Sequence, residues 1–162
     1  MGLIAAVFGT NADDGTTGML FYLLAYSLMT IGALAVVSAL ENKSDTMLLV
    51  DDLKGLCSKS PILSFALAVL LLSLAGIPPT LGFFGKFYIF TAALSSGFYW
   101  LTFIGVLSSV IGVYFYLRPI VVMYMSEGGV AKPNEDAYLT HSVALVMALA
   151  MLVFGVASSP LY

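Results

Sequence analysis

Four stretches of the chain, 16–40, 61–97, 98–125 and 139–161, are apolar almost throughout. A helix rises about 1.5 Å per residue and the hydrocarbon core of a bilayer is about 30 Å thick, so about 20 apolar residues make one crossing. The first, third and fourth stretches fit as single spans with some tilt. Composition agrees: 60% of the 162 residues are hydrophobic, only 9% are charged, and the mean hydropathy is +1.03. A soluble domain carries about a quarter charged residues, so this chain has too little polar surface for water. The fold class expected is an all-α integral membrane protein, a polytopic bundle of transmembrane helices forming one domain over 1–162.

The opening, MGLIAAVFGT, has too short an apolar run to span. It has neither the basic region nor the small-residue cleavage pattern of a signal peptide. Residues 1–10 read as the remnant of a helix that begins elsewhere, which makes the chain the C-terminal part of something longer. A net charge of −3 with scattered basic residues leaves no footprint for nucleic acid. The one cysteine, Cys57, has no disulfide partner and no neighbouring metal ligands, and reads as a free loop thiol.

Polar connections alternate sides. Lys43, Lys54 and Lys59 lie in one, and Lys132 lies in the one after the third stretch; the connections on the other side have no basic residue. The lysine side is expected to be cytoplasmic or matrix-facing.

The second stretch is the exception. As one straight helix 61–97 would be about 54 Å long, too much for one crossing and too little for two. At 74–90 it reads LAGIPPTLGFFGKFYIF. Pro78 and Pro79 lack an N–H and clash with the preceding turn. The helix entering at Pro61 is therefore expected to stop near Ala75–Gly76, leaving carbonyls around 73–76 without partners. Gly82 and Gly85 let the chain turn and start a second half-helix, giving one discontinuous helix broken over 76–85. Thr80 offers its hydroxyl to the freed backbone. Unpaired backbone groups in lipid cost several kcal/mol each, so such a break persists only where protein or a wet cavity covers it.

Lys86 follows the break and falls near mid-membrane, since the half-helix from Gly85 to Gly97 measures about 18 Å. A lysine at a helix centre costs about 2.5–3.5 kcal/mol. Its partner is water, an acid from outside this chain, or the free carbonyls; none of the nine acids lies within an apolar stretch. Two readings stand: a kinked helix with a buried, satisfied lysine, or a residue on an ion path. Burial and a nearby anion act on a lysine in opposite senses, so one placed between them takes and releases a proton. Broken helices with a charge at the break are a recurrent transporter device.

His141 and Arg118 are accessory candidates for that path; interfacial placement and snorkelling are their plainer explanations. Gly105, Ser108, Ser109 and Gly112 permit close helix packing. Pro119 is placed to kink the third stretch. Tyr22, Tyr26, Tyr114 and Tyr116 read as packing or belt residues. Ser27 and Thr30 bond a neighbouring helix or their own backbone.

LAGIPPTLGFFGKFYIF closely resembles the signature of the antiporter-like subunits of respiratory complex I, the NADH–quinone oxidoreductase, and best the N-type subunit. AYSLMTIGALAVV at 25–37 and YFYLRPIVVMYM at 114–125 look like C-terminal helices of that subunit. Mrp-type cation/proton antiporters and membrane-bound hydrogenases have related subunits. The resemblance implies a discontinuous helix near the end of a longer subunit, with Lys86 matching a lysine in a chain of protonatable groups across the membrane arm. A glutamate and two lysines of that chain, on earlier helices, have no counterpart here. It further implies a proton-translocating subunit of an enzyme whose redox chemistry lies elsewhere. NAD, flavin, iron–sulfur clusters and quinone are expected in partner subunits, with no cofactor or metal in this chain. The expected partners are the other membrane-arm subunits, the lipid bilayer and the earlier helices of the same subunit. The expected location is a bacterial plasma membrane or an organelle's energy-coupling membrane. Two alternatives are an antiporter or hydrogenase component and a non-catalytic structural membrane fragment.

Overall fold

The computed structural model describes residues 12–40, 49–78, 80–129 and 138–157, the side chains of 12–18, 21, 138–141 and 156–157 aside. Every regular element among them is helical: α1 (Ala12–Leu40), a 3-10 turn (Val50–Leu53), α2 (Leu56–Lys59), α3 (Pro61–Ala75), α4 (Leu81–Ser95), α5 (Tyr99–Met125) and α6 (Tyr138–Ala157). The expected helix remnant at 1–10 lies outside the described residues. α1 begins four residues earlier than the apolar pattern suggests.

α1 and α5 are each long and apolar enough to cross a bilayer. α3 and α4 have 15 residues each, about 22 Å apiece, and reach that length only in series. α3 opens with Pro61 in its first turn, where the missing N–H costs nothing.

α3 is the hub, packed against α1, α5 and α6. Leu63, Ala66, Leu67, Val69 and Leu70 are all buried, so it is covered on nearly every side. α1 turns Ala25, Met29, Val36 and Leu40 towards it, and α6 turns Ala144, Ala148 and Met151 inward, both at helical spacing. α5 differs: only Thr102 and Met123 of its 27 residues are buried. Trp100, Phe103, Leu107, Val110 and Tyr114 face outward, where lipid accepts them as readily as a protein core does. α5 runs through Pro119 without interruption. Ser27 and Thr30 donate to their own helix, at Leu23 O and Tyr26 O, 2.8 Å each.

A clasp closes one end of the bundle. Lys59 Nζ donates to Gly129 O, and the Gly129 N–H donates to Lys54 O at 3.1 Å. Lys54 also pairs with Asp51 at 3.0 Å. The start of α3 and the end of α5 therefore lie together. One crossing by α3 and α4, followed by a return along α5, requires this.

Candidate functional site: a lysine on a broken helix

The break begins at Gly76, whose φ of 82° and ψ of 43° are left-handed. The Gly76 N–H donates to Ser73 O and the Ile77 N–H to Leu72 O, both at 3.1 Å. Together these bonds form a Schellman turn, which ends a helix while satisfying two of its last carbonyls. Across the prolines, Thr80 donates twice to Ile77 O: from its N–H at 3.2 Å and from its hydroxyl at 2.7 Å. Thr80 itself is extended and buried, and α4 starts at the next residue.

The unwound stretch is thus 76–80, shorter than the 76–85 expected from the glycines. Gly82 and Gly85 lie inside α4 and serve close packing instead. A Cβ on Gly82 would stand 1.8 Å from the Ser73 carbonyl oxygen. The first turn of α4 and the last turn of α3 touch there, backbone to backbone. Gly85 lies against Tyr22 of α1.

Lys86 completes the arrangement. Its Nζ donates to Leu74 O and to Ala75 O, each at 3.0 Å. Of the carbonyls expected to be free around 73–76, that of Ser73 is taken by the turn and those of Leu74 and Ala75 by the ammonium. The lysine stem lies directly over Gly76, where a Cβ would come 3.0 Å from Cδ and 3.2 Å from Nζ. Gly76 is thus required twice, for its backbone angle and for the room it leaves.

Magnitudes decide whether the lysine needs an acid. A hydrogen bond from a charged group contributes about 1.5–3 kcal/mol. A cation at the negative end of a helix gains about 0.3–1 kcal/mol more. Two such bonds at the end of α3 offset an insertion cost of about 2.5–3.5 kcal/mol. Of the three partners sequence reasoning left open, the carbonyls are the ones present among the described residues.

The structure brings together Gly76, Thr80, Gly82 and Lys86. Pro78 is exposed beside them, and Pro79 lies outside the described residues. Arg118 is exposed on α5. His141 falls in the first turn of α6, and its side chain lies outside the described part. Sequence reasoning missed Ser73 as a side chain: its Oγ is fully buried and accepts the Gly82 N–H at 3.3 Å. Its nine-residue separation from Gly82 follows no local pattern.

Residues 1–112 match the family described as NADH:quinone oxidoreductase/Mrp antiporter, transmembrane. The chain belongs to this family. The matched part includes α1, α3 and α4, and so the break and Lys86. Across 162 residues the chain is 52% identical to a protein named NADH-quinone oxidoreductase subunit N from Bdellovibrio bacteriovorus, covering 100% of this chain and 33% of that one. It is 44% identical over 151 residues to a protein of the same name from Trichlorobacter lovleyi, covering 93% and 30%. Among solved structures it is similar to a chain of respiratory complex I from Thermus thermophilus with bound aureothin. There the TM-score is 0.79 at 28% identity, covering 98% of this chain and 36% of that one. The chain spans about a third of the length of the curated relatives it matches. This member of the NADH:quinone oxidoreductase/Mrp antiporter family is an integral membrane protein of helical fold.

Proposed function

We propose that this chain contributes to proton translocation in the membrane arm of an NADH–quinone oxidoreductase, with Lys86 as a proton-carrying group. The relatives named subunit N favour this reading over a cation/proton antiporter within the same family. The observation that carries it is the ammonium of Lys86 resting on two backbone carbonyls.

A lysine held by an aspartate or glutamate leaves a buried, unpaired anion when it loses its proton, which is strongly destabilising. A lysine held by carbonyls leaves only neutral groups. The amine still has hydrogens to donate, while its attraction to the helix dipole is gone. The site thus tolerates both protonation states, and the grip on α3 changes with the charge. An anion approaching from a neighbouring helix would compete with the carbonyls and draw the ammonium away. Proton transfer and a change at the break are coupled in this way. Redox chemistry belongs to partner subunits, and this chain supplies one step of the path.

The experiment is proton uptake into vesicles containing the full complex, normalised to assembled amount. Lys86→Ala should assemble in reduced amount and, per assembled complex, lose pumping together with coupled quinone reduction. Lys86→Arg should not restore it, because arginine stays protonated. Lys86→His should restore part. Wild-type pumping by the alanine variant would remove Lys86 from the path and favour a purely structural lysine.

A further inference from the structure

Several hydroxyls on these helices share one habit. Ser27, Thr30, Ser64, Thr91 and Thr102 each donate to a carbonyl one turn back on their own chain. Ser73 does not. It is fully buried in the last turn of α3, and its Oγ accepts the Gly82 N–H of α4 instead. That N–H is among the first of a helix and has no acceptor within it. Ser73 is what satisfies it.

Gly82 and Lys86 are four residues apart, so they share one face of α4, separated by about 6 Å along its axis. That face meets α3 at two points: Gly82 at Ser73, and Lys86 at the carbonyls of Leu74 and Ala75. α4 also packs on α1, α5 and α6, and these two attachments set how its first turn sits against α3. The two attachments differ in kind. The one at Lys86 depends on charge, and the one at Ser73 does not.

We propose that Ser73 is a positioning residue for Lys86: by holding the Gly82 amide it fixes the first turn of α4 against α3 and keeps the lysine over the end of α3 in both protonation states. This rests on the proton-path reading of Lys86. Without the hydroxyl, the Gly82 amide is orphaned and the first turn of α4 loses its charge-independent hold on α3, so it shifts against α3 once the lysine is neutral while its packing on α1 remains. The amine then no longer returns to the same two carbonyls, and proton exchange runs in a different setting.

The test uses Ser73→Ala and Ser73→Thr in the assembled complex, with two readouts. The first is hydrogen–deuterium exchange of the backbone over 81–86. The second is the pH dependence of proton uptake. In the alanine variant, exchange should be about tenfold faster, the effect of an unsatisfied buried donor. The pH of half-maximal uptake should move by about one unit. Threonine keeps the hydroxyl and should return both towards wild type. Unchanged exchange in the alanine variant would mean that Ser73 does not hold Gly82, which overturns the proposal. Faster exchange with an unmoved pH profile would make the bond purely structural and overturn it equally. Failure of the proton-path reading shows separately, as wild-type pumping by Lys86→Ala, and leaves the exchange readout interpretable.

Discussion

Tyr22 of α1 lies against Gly85 of α4, so closely that a Cβ on the glycine would stand 3.0 Å from the tyrosine Cδ2. This contact bears on the residue next to Lys86, from α1 rather than from α3. It also differs from the contact at Gly82. Tyr22 meets Gly85 mainly with its ring, which can shift by a few tenths of an ångström, whereas Ser73 meets Gly82 with its backbone carbonyl, which cannot. Gly85→Ala should therefore keep most of the proton pumping. Gly82→Ala should drive the half-helices apart by more than 1 Å and cut pumping by about 100-fold, as misplacements of that size do. Proton uptake per assembled complex compares the two; equal losses would refute the backbone argument.

Gly76 combines a left-handed backbone with the lysine stem lying over it. A side chain there costs about 1–2 kcal/mol in backbone strain alone. Gly76→Ala should lower the amount of complex in membranes several-fold, the usual result of a loss of that size. Gly76→Asn should lose less, because asparagine visits this conformation more easily. Quantifying the assembled complex by native electrophoresis checks the order; asparagine faring worse than alanine would point to crowding against Lys86 as the main cost.

Lys86→Met and Lys86→Gln separate the two jobs of the lysine. Methionine removes the donor and leaves Leu74 O and Ala75 O unsatisfied, at about 1–3 kcal/mol each. Glutamine keeps an amide donor and has no proton to exchange. The expected outcome is poor assembly for methionine and good assembly without pumping for glutamine. Proton uptake by the glutamine variant at the wild-type rate would contradict a titrating role.

At the clasp, a Cβ on Gly129 would come within 2.3 Å of Lys54 O and 2.4 Å of Asp52 O. Gly129→Ala should break the bonds to Lys54 and Lys59, at about 1 kcal/mol each. Cys57 is half-buried in α2 and reports on this directly. Its alkylation, followed by mass spectrometry of its peptide, should quicken roughly tenfold. An unchanged rate would show that the clasp does not close over α2.

Much of the site was legible in local chemistry. Proline has no N–H and glycine has no Cβ, so the end of α3 near Ala75–Gly76 follows from the letters alone. A lone lysine in an apolar stretch marks itself. What was hidden is how one half-helix meets the other. Gly82 and Gly85 look like unwinding residues because glycine both breaks helices and lets them pack closely; only the neighbour decides which. The partners of Lys86 are backbone carbonyls 11 and 12 residues earlier, which carry no side-chain signature. Ser73 is one serine among many until α4 is laid beside it. The clasp was equally silent, since the carbonyl of Gly129 and the ammonium of Lys59 are 70 residues apart.

The clasp bears on how the broken helix moves. Lys59 precedes α3 by two residues and is tied to the far end of α5. α3 therefore behaves as a lever, anchored at its Pro61 root by the clasp and resting at its Gly76 tip on α4. A push on the tip, whether from a new charge or from a neighbouring helix, swings the carbonyls that hold Lys86 and leaves the root still. Deflection per unit force grows with length. The 15 residues between anchor and break thus set how small a force is felt as a displacement at the lysine.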